Sequence, residues 1–301
     1  MDVRPLADFV CPLDGELLIS TAAGARCSAG HAFDRAREGY MNLLPVQHKA
    51  SRDPGDDQIM VTARRRILDD GLFAPVSSAV FALVRDFATR TDNGKAVRIV
   101  DAGCGEGYYL AQLIAAAQGW DQAITLELAG YDISKWAVRA AARRSEAVAW
   151  AVASNRQPPF AAASLDLILS LFGFAQWPQF EALLTPRGCV LVVEAGARHL
   201  LELRELIYPW VEADAPALPR AALVRGWHLG VEQHLEYTVS LDSPAQIQAL
   251  LAMTPHAHRM STAGRAAVEQ LASARVTVHV VLREMLPPVR DPARPRSSTS
   301  A

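Results

Sequence analysis

The stretch VRIVDAGCGEGYY, residues 97–109, decides the fold prediction for this chain. Its apolar run ends in Asp101, and Gly103, Gly105 and Gly107 follow before an amphipathic segment begins. Glycine allows a sharp turn and a close approach to a ligand where any Cβ atom would clash. In a doubly wound sheet this turn lies at the carboxyl end of the first strand, where ligands bind. The spacing D-x-G-x-G-x-G is neither the pyrophosphate-binding G-x-G-x-x-G nor a triphosphate loop with G-K-[ST].

Short apolar runs alternate with amphipathic segments from residue 96 onward, after two helices predicted at 58–68 and 75–90. Apolar strands without alternation are typical of a parallel sheet that helices cover on both faces, which predicts an α/β fold. The predicted strands are 97–103, 128–133, 148–154, 165–171 and 189–195, with helices at 107–118, 134–146, 177–184 and 198–207. Closing, partly antiparallel strands are predicted at 234–242 and 274–285, with helices at 243–252 and 263–273 between them.

The ends of the second and third predicted strands carry residues that suit a nucleoside. Asp132 can accept hydrogen bonds from both ribose hydroxyls, and Ile133 can pack on an adenine face. Ser154 and Asn155 are placed to meet the adenine edge. The alternative is a glycine-rich turn with an ordinary acid at a strand end, but the surrounding alternation argues against it. The loop resembles the nucleoside-binding loop of class I methyltransferases, which use S-adenosylmethionine.

The N-terminal part of the chain brings cysteine and histidine together at short spacing. Cys11 and Asp14 form one pair and Cys27 and His31 another, in a chain with only four cysteines. Structural zinc takes four Cys or His ligands in two such pairs, and a carboxylate can replace a thiolate in a weaker site. The sequence therefore predicts a zinc site, with a metal-free lobe held by apolar packing as the alternative.

Composition excludes several classes of protein. Half of the 301 residues are hydrophobic, which is enough to bury a substantial core. No run of about 18 apolar residues is free of charge, and the N-terminus lacks the features of a signal peptide, so we predict a soluble, cytoplasmic protein with no membrane partner. The 30 Lys and Arg against 32 Asp and Glu argue against indiscriminate nucleic-acid binding but allow a local basic surface.

Four stretches resemble the large-subunit (23S) ribosomal RNA guanine-N1 methyltransferases of the RlmA type. They are CPLD with CSAGHAFDRAREGYMNLLPVQHKASRDPGD (within 11–56), RRRILDDGLFAPV (64–76), VDAGCGEGYY (100–109) and GARHLLELRELIY (196–208). The resemblance implies a small N-terminal zinc-ribbon-like lobe for RNA recognition and a class I (Rossmann-like) methyltransferase sheet. We expect the lobe at 1–50, the methyltransferase domain at 51–286 and a disordered tail at 287–301.

Carried over by position, the resemblance implies methyl-donor contacts from Phe73, Gly105, Glu106 and His199. This chain departs from the family at two positions. Phe73 stands where the family often has tyrosine, which keeps the ring but loses a hydroxyl. Asp14 stands where the family has a zinc-binding cysteine, which puts the metal in question.

The resemblance also implies an RNA substrate. Basic residues cluster near the junction of lobe and domain and are candidates for phosphate contacts, with a solvated helix face as the alternative: Lys49, Arg52, Arg64, Arg65 and Arg66. The target guanine must be unpaired or extruded, and its N1 proton must be removed or shared. Asp53, Asp56 and Glu106 are candidate bases, and the sequence does not choose among them.

Three other interpretations stay open at this stage. The protein could methylate a small molecule or a protein, with the lobe capping the pocket. It could be an inactive protein that binds RNA or a partner and keeps the fold as a relic. It could modify a different guanine in the same RNA. A homodimer is also left open.

Overall fold

The centre of the molecule is a mixed β-sheet whose middle strands are buried. The structure is a computed structural model, and it describes residues 1–45, 47, 53–120, 124–208, 210–211, 217–254, 256 and 260–288. Lys49, Arg52 and residues 289–301 of the predicted tail lie outside the described residues. The strands are β1 (Asp2–Pro5), β2 (Ile19–Ser20), β3 (Gly24–Arg26), β4 (Ala32–Asp34), β5 (Met41–Asn42), β6 (Val97–Ala102), β7 (Thr125–Asp132), β8 (Ala149–Val152), β9 (Leu165–Leu171), β10 (Leu184–Ala195), β11 (His228–Leu241) and β12 (Ala274–Leu286).

Helices cover this sheet between successive strands. They are α1 (Gln58–Asp69), α2 (Ala74–Thr91), α3 (Tyr108–Ala117), α4 (Lys135–Ala142), α5 (Trp177–Leu183), α6 (Leu201–Ile207), α7 (Arg220–Leu223), α8 (Pro244–Ala252) and α9 (Thr262–Glu269). Helix α6 begins three residues later than predicted, because Leu200 adopts a left-handed φ of 52° and interrupts the helical backbone. Among the described helices, none is by itself long and apolar enough to cross a membrane, although α1 and α2 together pass that test across an 81° bend.

The strand order of the main sheet is β11-β12-β10-β9-β6-β7-β8-β5. Strands β6 to β10 run parallel to one another, whereas β12 is antiparallel to both β10 and β11. This arrangement confirms the predicted α/β sheet with partly antiparallel closing strands. Because the parallel strands end at the same edge, the residues that follow β6, β7, β8 and β9 meet there.

The N-terminal segment is joined to this sheet by two short strands. β1 pairs in parallel with the first half of β7, from Asp2 opposite Thr125, and β5 pairs in parallel with β8. Between them, β2, β3 and β4 form a separate three-stranded antiparallel ribbon. Apolar side chains of this segment, such as Leu6 and Phe9, lie in the same buried cluster as Val100 of β6. The lobe therefore packs into the sheet domain.

Candidate functional site

The glycine loop leaves β6 through three residues with left-handed φ angles, which are 87° at Gly103, 54° at Gly105 and 80° at Gly107. Side chains rarely adopt this conformation, so the loop depends on glycine. At Gly107 a Cβ atom would also stand 2.8 Å from both the Cβ of Ala141 and the ring of Trp150. This glycine lets α3 begin close against α4 and β8.

Asp132, at the end of β7, organises the loop. Its Oδ2 accepts a hydrogen bond from the backbone N–H of Gly105 at 3.0 Å, and its Oδ1 accepts one from Ser134 at 2.8 Å. Burial raises the pKa of this carboxyl, and the two N–H groups act against that shift. Each oxygen keeps a second lone pair, so the carboxylate can still accept the ribose hydroxyls predicted for it.

Asp101, the acid that ends the first apolar run, is 1% exposed. Neither of its side-chain oxygens has a hydrogen-bond partner among the described residues. Burial, with a smaller contribution from the charge of Asp132, raises its pKa to about 8. A buried carboxylate without a partner costs free energy, and a cation beside it lowers that cost. S-adenosylmethionine carries a sulfonium and an ammonium group, so the residues at this edge fit that cofactor.

The loop before α1 lies against the end of β7. A Cβ atom on Gly55 would be 2.8 Å from the Cγ2 of Ile133, and the hydroxyl of Ser134 donates to the carbonyl of Asp56 at 2.5 Å. Asp56 is ion-paired with Arg64 of α1. This segment therefore closes over the strand end where Ile133 was predicted to pack on adenine.

Three aromatic rings meet at the carboxyl edge of the sheet. Phe73 precedes α2, Phe172 follows β9 and His199 follows β10, and the three ring centroids are 6.0 to 6.1 Å apart. Phe73 and His199 were predicted as donor contacts, and the structure brings these two residues together. Phe172 was not predicted, and its only sequence signal is its place at the end of a predicted strand.

The burial of His199 predicts how the free energy of unfolding depends on pH. Burial, followed by the charge of neighbouring His256, lowers the pKa of His199 to about 4, below its ordinary value of 6.5. Between these values the unfolded chain binds a proton that the folded chain does not, so the free energy of unfolding falls as pH is lowered. We expect His199 to contribute up to about 1.4 kcal/mol per pH unit in this window.

The measurement is the free energy of unfolding in urea from pH 4 to 7 for the parent protein and for His199→Asn. Other titrating groups are common to both proteins, so the difference in slope reports His199. The variant is expected to have the shallower dependence. Parallel curves would contradict the prediction.

The structure places Glu106 on the helix side of the loop. It is 1% exposed and ion-paired with Arg144, whose guanidinium also donates to Asp69 at 2.9 Å. Burial raises the pKa of Glu106, and the guanidinium acts against that shift. Its other oxygen, Oε1, has no hydrogen-bond partner among the described residues. Of the other candidate bases, Asp53 is exposed and Asp56 is held by the ion pair described above.

Ser154 and Asn155 follow β8 at the same edge of the sheet. The Oγ of Ser154 accepts a hydrogen bond from the backbone N–H of Arg156 at 3.2 Å. The Nδ2 of Asn155 donates to the carbonyl of Phe174 at 2.9 Å, while its Oδ1 is buried without a partner among the described residues. An unpartnered amide oxygen at a ligand edge is available to a donor on the ligand.

The three described arginines of the predicted RNA surface differ in their surroundings. Arg64 faces the glycine loop: a Cβ atom on Gly105 would be 3.6 Å from its Nη1, and its Nη2 donates to the carbonyl of Met253. Arg65 pairs with Asp69 at 3.4 Å. Arg66 is exposed. The position of Arg64 against the glycine loop was not predicted, because the residues that Arg64 contacts are distant in the sequence.

The cysteine and histidine pairs form one compact cluster. Candidate ligand atoms of Cys11, Asp14, Cys27 and His31 all lie within 4.8 Å of one another. Asp14 Oδ2 is 2.9 Å from His31 Nδ1 and 3.1 Å from Cys27 Sγ. A hydrogen bond from the backbone N–H of Glu16 contributes most to holding the pKa of Asp14 below its ordinary value. Four of the separations between these ligand atoms lie between 2.9 and 3.6 Å. A compact set of this kind, with two thiols, suits tetrahedral zinc.

Two similar turns present these ligands. The backbone N–H of Gly15 donates to the carbonyl of Cys11 at 2.8 Å, and that of Gly30 donates to Cys27 at 3.0 Å. Both glycines have left-handed φ angles, 77° and 92°. The glycines in CPLDG and CSAGH therefore close the turns that bring both pairs together.

Comparison with known protein families identifies the class of protein to which this fold and site belong. Residues 9–52 match a zinc-ribbon family described as RlmA, N-terminal, and residues 99–191 match a family described as Methyltransferase domain. Together with the sheet topology and the glycine loop, these matches define a class I methyltransferase, a class that uses S-adenosylmethionine, with an N-terminal zinc ribbon.

Curated relatives identify the family of methyltransferases to which the chain belongs. YxjB of Bacillus subtilis (strain 168), whose name assigns it to the 23S rRNA (guanine-N(1)-)-methyltransferases, is 30% identical in an alignment of 282 residues that covers 90% of this chain and 94% of YxjB. The 23S rRNA (guanine(748)-N(1))-methyltransferase of Streptomyces fradiae is 35% identical over 194 residues, which are 64% of this chain and 65% of the relative. The chain belongs to the family of 23S rRNA guanine-N1 methyltransferases.

Proposed function

We propose that this protein transfers a methyl group from S-adenosylmethionine to N1 of one guanine in 23S rRNA. The observation that carries the proposal is the likeness to YxjB, which extends over 90% of this chain. The separate family matches at the ribbon and at the glycine loop agree with it. The site geometry supports it, because a buried acid, a ribose-binding acid and three rings meet at one sheet edge.

The proposed cofactor residues surround this edge of the sheet. They are Phe73, Asp101, Gly103, Gly105, Glu106, Gly107, Asp132, Ile133, Ser154, Asn155 and His199. Bound S-adenosylmethionine supplies an electrophilic methyl group, and an in-line displacement requires the nucleophile, the methyl carbon and sulfur to be aligned. The protein's part is to hold the ribose through Asp132 and to hold the donor beside Asp101. Glu106 is ion-paired with Arg144, and its other oxygen, Oε1, is proposed to face the donor.

The proposed zinc ligands are Cys11, Asp14, Cys27 and His31, which would hold the ribbon in shape. We further propose the division into a lobe at 1–50, a domain at 51–286 and a tail at 287–301.

The RNA substrate implies a cytoplasmic location, an unpaired guanine such as one in a hairpin loop, and phosphate contacts near the junction of lobe and domain. Lys49, Arg52, Arg64, Arg65 and Arg66 are the residues proposed for those contacts.

Arg66 gives the sharpest test of the phosphate contacts, because it is exposed on α1. We expect Arg66→Glu to weaken RNA binding and to reduce the slope of log K against log salt by about 0.7–0.9 for each phosphate that the side chain no longer neutralises. Filter binding across salt concentrations measures the slope. Arg187→Glu is the matched control, since Arg187 is also exposed but lies near the amino end of β10. Equal slopes for the parent and both variants would argue that Arg66 binds no phosphate.

The experiment that tests the function is methyl transfer from labelled S-adenosylmethionine to 23S rRNA from a strain that lacks this protein. We expect label at one guanine, recovered as N1-methylguanine, and mapping its position identifies the target. Naked RNA and precursor particles are both tried, and sedimentation reports whether one or two copies are present. Donor binding without any label on RNA would reject the proposal in favour of a small-molecule or protein substrate. No binding of S-adenosylhomocysteine would favour an inactive relic.

A further inference from the structure

An exposed aromatic ring stands at the edge of the sheet where the proposed donor site lies. Phe174 is 87% exposed, although it comes only three residues after the end of the buried strand β9. Single exposed apolar side chains are common on protein surfaces, so exposure alone does not make a site. The position of Phe174 relative to the glycine loop and β8 is the further observation.

The segment that carries Phe174 is held against the ends of two other strands. A Cβ atom on Gly173 would be 3.5 Å from the carbonyl oxygen of Ala102, the residue immediately before the glycine loop. The carbonyl of Phe174 accepts the hydrogen bond from Asn155, which follows β8. Phe174 is therefore fixed by its backbone beside the proposed donor site.

The turn that exposes Phe174 begins at Phe172. This residue has a left-handed φ of 56°, a conformation that non-glycine residues rarely adopt. Its backbone N–H still donates to Val193 at 2.8 Å, and its ring packs on Phe73 and His199. Strained backbone of this kind persists where the surrounding structure enforces it, often at functional sites. The surroundings of Phe172 thus direct the chain out of the sheet and leave the next aromatic residue in solvent.

We propose that Phe174 is the surface on which the unpaired target guanine stacks during methyl transfer. This inference rests on the proposed function and adds a substrate-binding residue to it. Proteins that recognise unpaired RNA bases stack them on aromatic side chains. A phenylalanine ring offers only its face, so a stacked guanine would keep the edge that carries N1 free for the reaction. The same ring suits any base, so the ring orients the guanine and other contacts select it.

The experiment compares Phe174→Ala, Phe174→Leu and Phe174→Tyr. For each protein, kcat/KM for 23S rRNA lacking the modification is measured with labelled S-adenosylmethionine, and the affinity for S-adenosylhomocysteine is measured by calorimetry. We expect the Ala and Leu variants to lose about tenfold or more in kcat/KM, and the Tyr variant to stay within about twofold of the parent. Donor affinity is expected to be unchanged in all three. Val224→Ala, at the 79% exposed residue that follows α7, is the matched control.

Each other outcome overturns the inference. Full activity of the Ala variant, or equal activity of the Leu and Tyr variants, would show that no ring stacking is needed. An equal loss of donor affinity would show that Phe174 shapes the donor site instead. If the parent labels RNA and the variants are unaffected, this inference alone fails. If the parent binds the donor but labels no RNA, both the proposed function and this inference are rejected.

Discussion

The substitution Asp132→Asn is expected to lower the affinity for S-adenosylhomocysteine and S-adenosylmethionine by about 100-fold or more. It is also expected to abolish measurable methyl transfer at ordinary donor concentrations. The carboxylate of Asp132 accepts backbone hydrogen bonds from Gly105 and Ser134, and it is the proposed acceptor for the ribose hydroxyls. An amide removes the charge and replaces one acceptor by a donor. Hydrogen bonds to charged groups contribute about 1.5–3 kcal/mol each, so the loss of two corresponds to about two to four powers of ten.

Calorimetric titration with S-adenosylhomocysteine is the direct measurement, because it separates donor binding from RNA binding. Asp86→Asn is the matched control, since Asp86 is an exposed acid on α2 whose side chain meets only Arg85 at 3.7 Å among the ion pairs of the described residues. The control is expected to bind the donor as the parent does. A change of less than about threefold for Asp132→Asn, in a protein that still melts cooperatively, would remove Asp132 from the donor site.

The second large effect is expected at the cysteine–histidine cluster. The parent protein is expected to hold one zinc ion per chain, and Cys27→Ala to hold none and to melt at a lower temperature. Structural zinc sites in small peptides contribute about 10–16 kcal/mol to folding. Cys27 is 4% exposed and lies in the buried cluster that also contains Leu6 and Phe9, so loss of the metal should loosen the ribbon and the packing beneath it.

Asp14 makes the zinc prediction more specific. Loss of a group that only supports a metal ligand typically costs about 10–100-fold in affinity, so Asp14→Ala should cost more than that if Asp14 is itself a ligand. Asp14→Cys should bind zinc more tightly than the parent, because it restores the thiolate that the family pattern implies. Elemental analysis and competition with a chromophoric chelator measure both effects. Cys189→Ala, a buried cysteine in β10, is the control and should keep the metal. Parent protein that takes up no zinc would contradict the assignment.

The sequence predicted the part of the site that depends on the ends of neighbouring parallel strands. Asp132 meets Gly105 because β6 and β7 are adjacent and parallel, which the alternating pattern already indicated. The two ligand pairs of the ribbon were likewise visible as short spacings, each with its glycine.

Contacts between distant segments could not be predicted in this way. Nothing in α1 indicated that Arg64 lies against the glycine loop, and nothing at Phe172 indicated its left-handed backbone. Strands β1 and β5 were also missed, because four and two residues are too short to show a periodicity. These features depend on packing between segments that are distant in the chain, and the local pattern of a single sequence does not show that packing.

The attachment of β1 to β7 has a consequence for the order in which the chain can assemble during its synthesis. Asp2 lies opposite Thr125 and Met41 lies opposite Ala151, so both short strands can pair only after more than a hundred further residues have been synthesised. At about 5–20 residues per second, this delay lasts on the order of 5–25 seconds. Until then the ribbon can close around its own ligands, but its apolar underside has no sheet to cover it. Early capture of zinc would hold the ribbon in its folded shape during that exposure, which would couple the supply of zinc to the yield of folded enzyme.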